Sequence, residues 1–317
     1  TAGADGKWFA RIATPEAGGP YELTFNDGEK LTLKNVLIGE VWICSGQSNM
    51  EMPVRGFVSA NQPTVGAVDT CLDAINYGDR IRIFGVPRNP VNDGPAKDLP
   101  SGAWERASYE SCAKCSAIAY FFAEYVTNIT HIPVGVIYSA WGGTEIRPWM
   151  PRECHAKALK GLVSDEEYAR RTGYIKPYKN RPRYAGALYN GMIHPFKGFA
   201  ARGFLWYQGC SNKGDYKFYD KLQAAMVAGW REAWGDTDAR MPFYYVLIAP
   251  FLRKGSANGF SRGYFVENQA AAAKAIPNCD YASTEGLGGG AIIHPAHKRP
   301  VSKQLAMLAL DHVYGIE

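Results

Sequence analysis

The chain lacks any run approaching about 18 consecutive apolar residues, so nothing in it reads as a membrane-spanning helix. It also lacks a basic block. Lysine plus arginine number 35 against 30 acids, a formal charge of +5, and the basic residues are scattered. That balance gives no argument for a nucleic-acid partner. Cysteine is sparse, with seven in 317 residues, far from a disulfide-dense scaffold. Cys112 and Cys115 form a Cys-x-x-Cys, but no second pair or histidine cluster completes a zinc site. A disulfide or two independent buried thiols is the expectation there, with no metal. There is no internal repeat and no low-complexity linker. Residues 1–8 are small and polar and do not read as a signal peptide. What remains is ordinary globular composition, 46% hydrophobic and 21% charged, which excludes disordered, collagen-like and coiled-coil chains. The length allows one large domain or two smaller ones.

Residues 1–35 read as β-rich. A strand is expected over 7–12. The alternating segments 21–25 and 30–33 flank Asn26-Asp27-Gly28, a hairpin signal. From residue 36 the pattern changes to buried-strand runs alternating with helical ones. Strands are expected over 36–44, 81–86, 134–139, 204–207 and 243–248. Helices are expected over 116–127, 216–230, 270–275 and 298–313. This alternation predicts an α/β protein with a mostly parallel sheet covered on both faces. The division expected is an N-terminal β segment, 1–35, followed by one α/β domain, 36–317. The Pro-, Gly- and Arg-rich stretches 52–110 and 150–185 should be loops or excursions over the strand ends.

In such sheets chemistry collects beyond the carboxyl ends of the strands. Three strand ends carry unusual text. Cys44-Ser45-Gly46-Gln47-Ser48-Asn49-Met50 presents Ser48 on a tight strand-to-helix turn, as a nucleophile or as a helix cap. It is not a Gly-x-Ser-x-Gly elbow, because Met50 stands where the second glycine would be. Ser139-Ala140-Trp141-Gly142-Gly143-Thr144 offers backbone N–H groups for an oxyanion, or a plain turn. In Gln208-Gly209-Cys210-Ser211-Asn212, the Asn212 amide could donate to an oxyanion or cap a loop. A serine nucleophile needs a base. His294 follows the glycine-rich stretch 286–290 and precedes the last helix, a fitting loop position. His194, in similar local text, is the rival; His312 belongs to the last helix.

Taken together, these motifs resemble the sialate O-acetylesterase-like carbohydrate esterases of the SGNH (GDSL-like) hydrolases. The resemblance runs from residues 39–50 through Trp141-Gly142-Gly143-Thr144, 190–195, Trp206-Tyr207-Gln208-Gly209 and His294-Pro295, in the family's order. It implies a flavodoxin-like three-layer α/β/α fold and a serine esterase acting on sugar acetyl esters without a cofactor. By position, Ser48 looks like the nucleophile and His294 like the base. The oxyanion hole would be the backbone N–H of Ser48 and of Gly143 with the side chain of Asn212. Two positions depart from the family text. Ile292 stands where an aspartate usually precedes the histidine by two residues, and Cys210 where a glutamate is usual. The nearest acid in sequence, Glu285, is the expected replacement to orient His294; a backbone carbonyl is the alternative.

Trp141 beside the motifs could stack on a sugar, Gln208 could contact it, and Arg147 could pair with a sugar carboxylate. Core packing and a structural salt bridge are the competing readings, with core packing preferred for Trp206. The substrate expected is an acetylated carbohydrate, either O-acetylated sialic acid or a plant polysaccharide such as xylan, in a secreted or periplasmic setting. The competing class is a catalytically weakened carbohydrate-binding protein of the same fold. A thiol enzyme using Cys44 or Cys210 is the weakest reading.

Overall fold

The computed structural model describes residues 6, 13–173, 175–176, 181–251, 259–288 and 292–316. The strand expected over 7–12 lies outside them. β1 (Gly18–Asn26) and β2 (Lys30–Ile38) form the expected hairpin, which is a two-stranded antiparallel sheet of its own. Its turn is closed by short side chains. Asn26 Oδ1 accepts from the Gly28 N–H at 3.2 Å and Asp27 Oδ1 from the Glu29 N–H at 3.3 Å.

The run expected as one strand over 36–44 is split at Gly39, where a Cβ would sit 2.1 Å from the Pro133 carbonyl oxygen. β2 ends before it and β3 (Glu40–Gly46) begins after it. β4 (Ile81–Gly85), β5 (Glu105–Arg106), β6 (Val134–Ala140), β7 (Gly203–Tyr207), β8 (Phe243–Val246) and β9 (Cys279–Ala282) complete a second sheet. Its order is β5-β4-β6-β3-β7-β8-β9, and every pair is parallel except β4–β5. The expected parallel α/β sheet is therefore present. Compared with the flavodoxin order, β3 and β6 have exchanged places, so β3 lies between β6 and β7.

β3 is apolar on both sides because both faces are covered. Trp42 and Cys44 enter one core, while Ile43 enters the other. The helices sort the same way. α1 (Ser48–Glu51) follows β3 directly, and α2 (Ala67–Asp73) and α3 (Tyr109–Lys114) lie in the 52–110 excursion. α4 (Ala117–Thr130) starts at Ser116, whose hydroxyl caps the Ala119 N–H, and stops at His131 in the left-handed region. It packs with the last helix on the Trp42 face. α5 (Arg152–Leu159) and α6 (Asp165–Thr172) occupy the 150–185 stretch. α7 (Tyr219–Trp234) and α8 (Gly259–Ala275) cover the Ile43 face, and α9 (Arg299–His312) is the last helix. Both excursions thus carry short helices. The result is three layers, with Trp42, Trp206 and Trp230 fully buried between them. Burying an aromatic of this size contributes about 1.5–3 kcal/mol or more. For Trp206 the core reading holds: its ring packs edge-on against Trp149 and Trp230.

Candidate active site

Neighbouring strands β6, β3 and β7 end side by side, and the three unusual loops meet there. Gly46 has φ +148°, and a Cβ on it would lie 2.3 Å from the Tyr207 carbonyl oxygen, so only glycine lets β3 turn into α1. Gln47 then laces the two strand ends. Its N–H donates to Tyr207 O at 3.0 Å, and its Oε1 accepts from the N–H groups of Gly209 and Ser211 at 3.0 and 3.4 Å. This places Ser48 at the start of α1, partly exposed, with its backbone N–H unbonded among the described residues.

His294 comes from the loop between β9 and α9. Its Nε2 lies 2.8 Å from Ser48 Oγ, a nucleophile–base distance. His194 is elsewhere, with Nδ1 3.1 Å from the Ala96 carbonyl oxygen and its ring against Tyr189. His312 sits on α9 beside Tyr244 and Asp311.

The third position departs from expectation. His294 Nδ1 lies 2.7 Å from Gln62 Oε1. Glu285 is exposed, its own N–H donates to Ser283 Oγ at 3.1 Å, and its side chain makes no hydrogen bond to His294. Nearness in sequence did not translate into a hydrogen bond. Ile292 is 54% exposed and lines a cleft of about 330 Å³ together with Gln62, Leu287 and His294. A second cleft, of about 690 Å³, lies beside it, lined by Glu51, Phe57, Arg55, Arg88 and Lys114 among others. Phe57, which lines it, stands edge-on to His294 of the first cleft, with ring centroids 5.2 Å apart.

The Gly142-Gly143 turn faces the serine. A Cβ on Gly142 would be 3.1 Å from Ser48 Cβ, and the Gly142 N–H donates to Glu51 Oε2 at 2.8 Å. Glu51 is also paired with Arg88, whose guanidinium lies over the Trp141 ring at 4.8 Å. Gly143, at φ +72°, has an N–H with no hydrogen bond among the described residues, and the Arg181 guanidinium lies against its Cα. Arg181 carried no motif signal and was missed in the sequence.

The side chains expected to touch substrate are mostly consumed. Gln208 is 0% exposed, and both its amide hydrogens are used, on Thr144 O at 3.1 Å and Asn212 Oδ1 at 2.8 Å. Its Oε1 accepts from Tyr219 Oη at 2.6 Å. Arg147 is buried, paired with Glu145 at 2.8 Å and donating to the Arg171 carbonyl oxygen at 3.3 Å. It is the structural salt bridge, not a free anion receptor. Trp141 is buried under Arg88, which occupies the face a sugar would need. Asn212 braces the loop after Gly143. Its Oδ1 accepts from the Ile146 N–H at 2.9 Å and its Nδ2 donates to Asp215 Oδ2 at 2.7 Å, leaving one amide hydrogen.

Two shifted titrations bear directly on the base. Burial, and secondarily the Lys298 charge, lower His294 to about 4. Lys298, buried beside Cys210, is itself lowered to about 7 by burial. The seven cysteines are free thiols; Cys112 and Cys115 are buried separately. Among the described residues no group of three or more His, Cys, Asp or Glu side chains is arranged to hold a metal. No helix among them is long and apolar enough to cross a membrane.

A parallel α/β sheet with a serine and a histidine in hydrogen-bond contact beyond its strand ends defines the class, an SGNH-like hydrolase architecture. Residues 38–306 match the family described as carbohydrate esterase, sialic acid-specific acetylesterase, and the chain belongs to that family. The sialate O-acetylesterase of Rattus norvegicus is 27% identical, over 99% of this chain and 64% of its own length. That of Homo sapiens is 28% identical, over 97% of this chain and 61% of its own. The chain therefore spans less than two thirds of the length of these relatives. A solved carbohydrate acetylesterase from Xanthomonas citri is 31% identical with a TM-score of 0.80, covering 98% of this chain and 65% of that one.

Proposed function

We propose that the chain is a carbohydrate O-acetylesterase working through an acetyl-enzyme on Ser48. The observation that carries this is the 2.8 Å approach of His294 Nε2 to Ser48 Oγ, with His294 lining an open cleft. His294 takes the Ser48 proton as Oγ attacks the acetyl carbonyl. The tetrahedral oxyanion is held by the free N–H groups of Ser48 and Gly143, with the remaining amide hydrogen of Asn212 as third donor. His294 passes its proton to the departing sugar oxygen. Water, deprotonated by His294, then attacks the acetyl-enzyme, releasing acetate and restoring the serine. Removing one such donor costs on the order of 2.7–4 kcal/mol of transition-state stabilisation in a serine protease.

The substrate in this proposal is an acetylated sugar, either O-acetylated sialic acid, as the relatives' names suggest, or an acetylated plant polysaccharide such as xylan. Arg181 and Arg55 supply cations near the site that favour an acidic sugar. The secreted or periplasmic setting belongs to the same proposal on family grounds. So does the division into a β segment, 1–35, and a hydrolase unit, 36–317; the separate hairpin sheet supports such a division, but its strand β2 runs to Ile38, three residues past that boundary.

The test is acetate release from a chromogenic acetyl ester, O-acetylated sialic acid and acetylated xylan, with Ser48→Ala as control. Loss of the nucleophile should cost on the order of 10⁶-fold. Sugar binding without Ser48-dependent release would select the binding-protein reading instead. Arg181→Ala should raise KM for the sialic acid ester and leave the xylan value unchanged.

A further inference from the structure

Granting the esterase reading, the orientation of its base has a source outside every motif. Phe57 and Gln62 close a tight turn by exchanging backbone hydrogen bonds, Phe57 N–H to Gln62 O at 2.9 Å and Gln62 N–H to Phe57 O at 3.1 Å. Gly56, at φ +79°, makes the turn possible, because a Cβ there would lie 2.3 Å from the Gln62 carbonyl oxygen. The turn is tied to the histidine loop, since the Val65 N–H donates to Ala296 O at 3.0 Å. Both ends of the turn touch His294. The Phe57 ring packs edge-on against the imidazole, and Gln62 Oε1 meets Nδ1.

The tautomer follows from this. To accept the Ser48 hydroxyl proton, Nε2 must be unprotonated, so the neutral ring carries its hydrogen on Nδ1. That hydrogen needs an acceptor, and Gln62 Oε1 at 2.7 Å is the one present. We propose that Gln62 is the positioning residue of the base: it fixes the Nδ1–H tautomer and the ring angle, and it substitutes a neutral amide for the carboxylate of a Ser–His–acid triad. The imidazolium formed in each transition state then gains a dipole but no counter-charge.

The charged groups around the ring agree with this. Lys298 follows on the same loop and opposes protonation of His294. Glu51, across Ser48, is already committed to Arg88 and the Gly142 N–H. Arg55 lines the cleft on the Phe57 side and Glu285 is exposed. No carboxylate is hydrogen-bonded to either ring nitrogen among the described residues. The base therefore stays neutral well into acid, in line with its lowered value of about 4.

The experiment compares the pH profiles of kcat and kcat/KM on a chromogenic acetyl ester for wild type, Gln62→Glu and Gln62→Leu, with Ser48→Ala as background. A carboxylate beside the imidazole should move the acid limb of Gln62→Glu up by about 1–3 pH units and raise plateau kcat. Gln62→Leu should lower kcat about 10–100-fold with KM little changed, as expected for a loss in orientation. In wild type, ¹⁵N shifts of His294 should report hydrogen on Nδ1, a readout that survives if a variant fails to fold. Unchanged profiles in both variants, or hydrogen on Nε2, would overturn the proposal. Absence of Ser48-dependent release in wild type would instead overturn the esterase reading on which it rests.

Discussion

The ammonium of Lys298 lies 2.6 Å from the side-chain oxygen of Asn49, and no carboxylate pairs with it among the described residues. Asn49 in turn donates to the Ile293 carbonyl oxygen at 3.1 Å. One link, buried at Lys298 and part-buried at Ile293, thus joins the residue after Ser48 to the residue before His294. Lys298 is 1% exposed, and its other neighbours are the Tyr207 ring at 5.6 Å and the Cys210 thiol.

Lys298→Met tests what that buried charge costs. The folded value, about 7, lies below the usual lysine value of 10.5 because burial disfavours the charged form. Between those two pH values the unfolded chain binds more protons than the folded one, so stability rises with pH across that window. The cost of the buried charge is absent above about 10.5 and complete below about 7. The methionine variant should therefore gain stability over wild type as pH falls from 10.5 to 7, with the difference level below that. Its His294, freed of a neighbouring cation, should show a higher acid limb in kcat/KM. Denaturant titrations across pH read the first effect; parallel curves for the two proteins would contradict it.

Gly142→Ala should damage chemistry more than fold. The added methyl would sit 2.8 Å from Glu51 Oε2 and 3.1 Å from Ser48 Cβ, so the carboxylate, the nucleophile or the turn must shift. Displacements near 1 Å cost about 10²-fold in comparable sites, while overpacking costs about 1–3 kcal/mol. The expected result is a kcat loss of about 10–100-fold in a protein that still unfolds cooperatively. Wild-type kcat would show that the turn is not where the oxyanion forms.

The legible part of this site was local. Ser48, the Gly142-Gly143 turn and His294 each sit at the end of a recognisable strand or the start of a helix, so their neighbourhood announced them. Gln62 could not be announced that way. It lies 232 residues from His294 in sequence, in an excursion with no apolar period, and it reaches the ring only because the Phe57–Gln62 turn folds over it. Glu285 was the natural expectation because sequence offers proximity along the chain and nothing about direction. The same gap explains Gln208, Arg147 and Trp141. They lie near the strand ends, but their side chains turn inward, where the Gln208 amide is fully satisfied and Arg147 is paired with Glu145. The exchange of β3 and β6 in the sheet was likewise invisible, since order along a chain does not fix order across a sheet.

Gln208→Leu separates bracing from substrate contact. The amide connects Thr144, beside the Gly143 turn, to Asn212 and Tyr219, and Asn212 passes the link to Asp215, which pairs with Arg171. Leucine leaves the buried Thr144 carbonyl and Tyr219 hydroxyl without these partners, while Asn212 Oδ1 keeps the Ile146 N–H. Each unmet group costs about 1–3 kcal/mol, reduced where the site relaxes. Stability and kcat should fall together while KM stays near wild type. A raised KM with unchanged stability would return Gln208 to the substrate surface.

Alkylation separates the serine mechanism from a thiol one. Cys210 stands at the mouth of the β7 loop, and burial pushes its thiol up to about 11 despite the cations of Lys213, Lys298 and Arg262 nearby. Cys44, fully buried in β3, is pushed up further still. The thiolate is the reactive form, so at pH 7.5 less than about one part in 10³ of Cys210 can react at any moment. Iodoacetamide at that pH should leave Ser48-dependent ester hydrolysis intact while intact mass shows at most slow labelling of Cys154, Cys210 or Cys279, the three thiols that are not fully buried. Rapid inactivation matched to a single adduct on Cys210 would mean that its thiol is ionised in the working enzyme. That would require a cation, with Lys298 the nearest buried one, to outweigh the desolvation that the structure imposes.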